Sequence, residues 1–199
     1  MTPKISSDLD ALLRPASLLS ADRIFGDQGL VPDAGGVYAW WFKGGIPGVP
    51  LDGTQEMDGH HLLYVGIAPR APSRAGSISA STLRRRFRNH LRGRIAQSTL
   101  RRSLACLLQQ ELGFNITRNA ANKLVMPRQH ETTLTDWMAE HAAVTLLTDS
   151  APWAIEDELI SSGPQLPLNI KGSAHPFRAV LAGKRRKASH QVLSSVDRA

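Results

Sequence analysis

Gly35-Gly36-Val37-Tyr38-Ala39-Trp40-Trp41-Phe42 and Leu62-Leu63-Tyr64-Val65-Gly66-Ile67 are two short apolar runs, and each holds one of the chain's two tyrosines beside a glycine. Runs of this length and composition read as strands, the first over roughly 36–42 and the second over about 61–67. Two consecutive strands most simply pair antiparallel, which sets Tyr38 and Tyr64 on neighbours. Between them, 43–60 carries five glycines, two prolines and three acids and reads as a long loop. Loops of that length are usually functional or mobile.

Working outward, 1–30 reads as a helical leader, with one short helix near 9–13 and another near 21–25. A Pro/Ser/Gly-rich loop over 69–79 leads to a helix at about 80–92, with Ser79 or Ser81 as its cap. A second helix spans 99–112, opened by Ser98 and closed by Gly113. Thr132 or Thr133 opens a short helix bearing Leu134, Trp137 and Met138. A third strand follows at 142–147, and Asp149 or Ser150 caps a last helix that runs to Ser162 and stops at Gly163-Pro164. The pattern predicts an α/β protein of the α+β type: a small central antiparallel three-stranded sheet flanked by helices. The main domain covers 31–180 with an insertion at 43–60, and 181–199 reads as a basic, disordered tail.

At 199 residues the chain can bury one core without staples, and its 42% hydrophobic and 21% charged content is ordinary for a globular protein. No apolar run is long enough for a membrane helix. Lys4 is followed by Asp8 and Asp10 where a secretory signal would be apolar, and a single cysteine, Cys106, excludes an internal disulfide and suits a reducing cytoplasm. The histidines are scattered, so no zinc-ligand spacing occurs. Net charge is +7, and from Arg70 to Arg102 there are ten arginines and no acid. A solvated charged face normally mixes signs. A run of one sign marks a phosphate binder, with nucleic acid ahead of an anionic membrane because no wide apolar face accompanies it. The candidate backbone-binding residues are Arg84, Arg88, Arg92, Arg94, Arg101, Arg102, Lys184, Arg185 and Arg186.

Two helices carry candidate chemistry. On 80–92, Leu83, Phe87 and Leu91 form a core stripe, and Arg86 and His90 lie together one turn apart on one side of it, placed to reach the tyrosine strands. A snorkelling arginine and a satisfied boundary histidine would show the same spacing. On the helix after Ser150, Trp153, Ile155, Leu159 and Ile160 define an apolar arc of about 160°, and Glu156 falls within it, while Asp157 and Glu158 fall outside as solvated surface. A carboxylate on an apolar face needs a partner, either an arginine or a hard divalent ion such as Mg²⁺ that takes one carboxylate and completes its shell with water and phosphate.

The two tyrosine triplets resemble the signature of the GIY-YIG nucleases, with valine at each central position. Arg86-Phe87-Arg88-Asn89-His90 looks like the family's helical arginine with the added histidine of some restriction-enzyme members. Glu156, before Leu159-Ile160 and then Pro167-Leu168-Asn169, is similar to the family's metal-binding glutamate and asparagine. The resemblance spans roughly 35–170, with longer links than usual between the tyrosine motifs and before Arg86. It implies hydrolysis of DNA phosphodiesters, most simply in duplex DNA, using one Mg²⁺ or Mn²⁺ ion on Glu156. Tyr38 is then the general base and Tyr64 orients the water. Arg86 stabilises the phosphorane, His90 is an alternative base or relay, and Asn169 orients the site. The rivals are a nucleic-acid-binding module on the same scaffold that does not cut, and a structural protein whose basic face takes acidic partners. His175-Pro176-Phe177 has no counterpart and takes no role.

Overall fold

A computed structural model describes residues 4–188. In chain order the elements are α1 (Lys4–Leu13), β1 (Leu19–Ser20), α2 (Ala21–Gly26), β2 (Gly36–Lys43), β3 (Glu56–Met57), β4 (His60–Ala68), α3 (Leu83–Arg92) and α4 (Thr99–Leu107). The hairpin β5 (Thr117–Arg118) and β6 (Leu124–Val125) follows, then α5 (Arg128–His141), β7 (Ala142–Thr148), α6 (Pro152–Ser162) and α7 (Phe177–Lys187). The main sheet runs β1-β7-β2-β4-β3 and is antiparallel throughout. It therefore has five strands where the sequence predicts three. The three long ones are those expected, and β1 and β3 are two-residue edge pairings too short to leave a periodic signal.

The alternation of β2 decides what packs on each face. Tyr38, Trp40 and Phe42 point to one side, where Trp40 stacks on Phe87 of α3 at 5.3 Å and Phe42 on Trp137 of α5 at 6.1 Å. Val37, Ala39 and Trp41 point to the other, against Leu12 of α1 and Ile155 and Leu159 of α6. Burial of each such apolar side chain is worth about 1.5–3 kcal/mol, so both faces of the central strand contribute to stability. Pairing runs Trp40 to Tyr64 and then Trp41 to Leu62, leaving Leu63 as a bulged residue in β4. A bulge re-aims the side chains beside it, and here the neighbour is Tyr64.

Several boundaries differ from the sequence pattern, each for a local reason. α3 starts at Leu83 because Thr82, not Ser79 or Ser81, caps it by accepting from Arg85 N at 3.3 Å. α5 begins four residues before Thr132, and the hydroxyls of Thr132 and Thr133 bond back to the carbonyls of Arg128 and Gln129 inside the helix. α4 ends at Leu107, although Gly113 does take a left-handed turn further on at φ 64°. The largest difference is α7. Phe177 and Leu181, with Ala188 just beyond its end, are buried, so the predicted tail is helical and packed through Lys187. The rest of that predicted tail, 189–199, lies outside the described residues. Among the described residues no helix is long and apolar enough to cross a membrane.

Candidate active site

The glycines of the two triplets are required by close approach. A Cβ on Gly66 would lie 2.5 Å from Tyr38 Oη and 2.7 Å from its Cζ, so the second triplet's glycine is the floor on which the first triplet's phenol rests. A Cβ on Gly36 would collide with the carbonyl of Leu147 and come 2.8 Å from Leu83 Cδ1, so that glycine lets α3 settle onto β2. The ring centroids of Tyr38 and Tyr64 are 6.4 Å apart.

Behind Tyr38 runs a dry polar chain. Tyr38 Oη is 2.8 Å from His90 Nε2, and His90 Nδ1 is 2.8 Å from Ser98 Oγ. Ser98 Oγ also caps α4 by accepting from Arg101 N at 3.1 Å. Tyr38 is wholly buried and His90 is 1% exposed. Burial, reinforced by the charges of Arg86 and Arg101, pushes the His90 imidazole down to about 3, so it is neutral. Burial likewise raises both phenols; the neighbouring tyrosine and Glu156 raise Tyr38 further, and Arg86 opposes the rise in both. With both partners neutral, one consistent arrangement has Tyr38 O–H donating to Nε2 and Nδ1–H donating to Ser98. His90 thus lies deeper than the helix rim its spacing suggests.

In front of Tyr64 opens a cleft of about 830 Å³, lined by Tyr64, Arg86, Trp153, Glu156, Asn169 and Arg185 among others. Four of the six candidate side chains reach its wall, and the other two, Tyr38 and His90, sit behind Tyr64. Arg86 is half-buried with its Nε unpartnered, and the Tyr38 phenol is its strongest electrostatic neighbour. Glu156 faces the cleft at the edge of the apolar face, half-buried, while Ile155 and Leu159 face the sheet. Among the described residues it forms no salt bridge, which disposes of the structural ion pair with an arginine. Burial raises its carboxyl, Asp157 adds to this, and Lys171, Arg86 and Arg70 oppose it. No trio of His, Cys, Asp or Glu converges among the described residues, so any metal here would rest on at most two protein ligands, with water and substrate oxygen completing its shell. Asp157 and Glu158 also line the cleft, where the sequence places them on open surface.

Asn169 is committed to the backbone. Its Oδ1 accepts from Val65 N at 2.9 Å and its Nδ2 donates to Val65 O at 3.0 Å, while Leu168 N bonds Leu63 O. Beyond the short β3, this segment takes the place of a sheet partner for β4 and fixes the backbone next to Tyr64.

The basic residues separate into distinct roles. Arg88, Arg94, Lys184 and Arg186 are exposed. Arg84 is tied to Val31 O at 2.9 Å and lies 4.0 Å from Asp33, and Arg92 bonds Phe25 O and covers the Phe25 ring. Arg101 corrects the sequence reading: it is fully buried and pairs with Glu131 at 2.9 Å, so it belongs to the core and not to a phosphate-binding surface. Arg185, assigned from sequence to a loose tail, is held on α7 by Thr99 O at 2.8 Å and Ser103 Oγ at 2.7 Å, and faces the cleft. Phe177, Leu181 and Ala188 fall within about 40° of one another at 100° per residue, with Arg185 beside them, and that spacing could have revealed it. Ser98 was legible as a cap, but its contact with His90 was not.

A family model for the GIY-YIG catalytic domain matches residues 36–188. No curated protein and no solved structure matches the chain.

Proposed function

The chain belongs to the GIY-YIG nuclease superfamily, and from that premise we propose that it is a metal-dependent endonuclease hydrolysing phosphodiester bonds, with duplex DNA as substrate. The observation that carries this reading is the unpaired Glu156 carboxylate sharing one cleft with Arg86, Arg185 and Tyr64. A pure binding module has no use for a half-buried acid beside the phosphate it must attract.

In this reading Glu156 holds one Mg²⁺ or Mn²⁺ ion, which when bound supplies positive charge to the phosphate and the departing 3′ oxygen. Arg86 donates to the non-bridging oxygens as charge builds on the phosphorane. Tyr64 orients the attacking water from the cleft wall. Tyr38, lying behind Tyr64, takes the water's proton by way of the Tyr64 hydroxyl as it passes its own to His90 Nε2, and Ser98 holds the imidazole in the tautomer that can accept it. Burial opposes a lasting charge on Tyr38 and on His90 alike, so the relay carries the proton only transiently, and Arg86 lowers the cost of negative charge on the phenol. Asn169 is a positioning residue through Val65. Incubation with supercoiled plasmid and Mg²⁺ or Mn²⁺ tests the reading. Nicking that is lost in EDTA and in Tyr38→Phe is expected. Plasmid binding without nicking in either metal would overturn the enzyme in favour of the binding module.

A further inference from the structure

A second concavity of about 230 Å³ opens between α4, the β5–β6 hairpin and α7, lined by Arg102, Arg118, Lys123, Arg185 and Arg186 together with Asn122 and Leu124. None of these lining residues is acidic, and Arg185 belongs both to this notch and to the catalytic cleft. The two concavities are therefore neighbours that share one guanidinium.

The notch is built rather than incidental. Arg102 is fixed by Ile95 O at 3.2 Å and Ala96 O at 2.9 Å. Arg185 is fixed by Thr99 O and Ser103 Oγ, and its buried Nε has no partner. The hairpin tip is rigid too: Asn119 Oδ1 accepts from both Ala121 N and Lys123 N, Asn122 takes a left-handed φ of 56°, and Arg118 Nη1 donates to Asn122 O at 2.9 Å. Burial and the adjacent Arg102 charge both disfavour the charged form of Arg185. Holding Arg102, Lys123, Arg185 and Arg186 around so small a volume favours an anion that joins them.

We propose that this notch is a phosphate subsite that takes the backbone phosphate next to the scissile one, steering the substrate strand out of the cleft along α7. It rests on the nuclease reading for its substrate and extends it to residues of the β5–β6 hairpin. Phosphate contacts of this kind fix the register of a strand without reading its bases.

Fluorescence anisotropy with a short labelled duplex in EDTA, titrated at several salt concentrations, tests it without cleavage. Each neutralised phosphate contributes about 0.9 to the slope of log affinity against log salt. Lys123→Ala is expected to weaken binding and to reduce that slope by about 1, and Lys123→Arg is expected to restore both. A Lys123→Ala slope and affinity equal to those of the wild type would overturn the subsite. Failure of the nuclease reading looks different: the slope still falls with Lys123→Ala, but the wild type leaves plasmid uncut in Mg²⁺ or Mn²⁺.

Discussion

Two arginines on successive helices, the fully buried Arg101 and the half-buried Arg86, have opposite surroundings. Arg101 is wrapped: its Nη atoms reach His90 O, Leu91 O, Thr135 Oγ1, Glu131 O and the Glu131 carboxylate at 2.8–3.2 Å. It ties α3, α4 and α5 together beneath the sheet. Arg86 has no carboxylate within salt-bridge distance among the described residues and looks into a cleft that also holds the unpaired Glu156. A charge buried with its partner serves the fold. A charge kept from any opposite charge is left for a ligand, and the cleft collects such charges of both signs.

Removing each arginine should therefore break a different property. Arg101→Ala takes its cation from Glu131, whose side chain is only 12% exposed in the native pair, and breaking a buried pair typically costs about 3–5 kcal/mol. Urea unfolding is expected to show that loss, and an unchanged midpoint would erase the distinction. Arg86→Ala should do the reverse: nicking falls by about 10²–10³, as for a lost oxyanion donor, while the unfolding midpoint stays close to that of the wild type. A smaller effect is expected of Asn169→Ala, which strips two hydrogen bonds from the buried Val65 backbone. About 1–3 kcal/mol of stability should go, with slower nicking because Tyr64 is less firmly held.

The last effect depends on pH. Folding lowers His90 from an ordinary 6.5 to about 3, so the unfolded chain binds more protons between those values. The contribution of His90 is complete above about 6.5 and falls away as pH drops toward 3, by at most about 1.4 kcal/mol per pH unit. His90→Gln should flatten the pH dependence of the unfolding midpoint in that window. Equal pH slopes for variant and wild type would show that the imidazole is not held neutral by the fold.

The same contrast explains what was legible in the sequence. Tyr38 and Tyr64 stood out because short strands flanked by glycine carry a strong local signal, and Glu156 because helical periodicity exposes an acid on an apolar face. Arg101 could not be told from Arg102, since a one-residue step on a helix separates core from surface only when the partner, Glu131, thirty residues away, is known. Ser98 and His90 meet through the turn between α3 and α4, which no periodicity describes. α7 was missed because four consecutive basic residues outweighed Phe177 and Leu181, and Arg185 was missed with it. The edge strands escaped notice because two residues have no period.

The most direct test is the nicking rate as a function of Mn²⁺ concentration for the wild type and Glu156→Gln, a substitution that keeps the side chain's shape and removes its charge. If Glu156 is kept unpaired to hold the ion, the wild type saturates and the variant stays inactive or requires at least about tenfold more metal, a difference worth about 1.4 kcal/mol. Superimposable curves would contradict it.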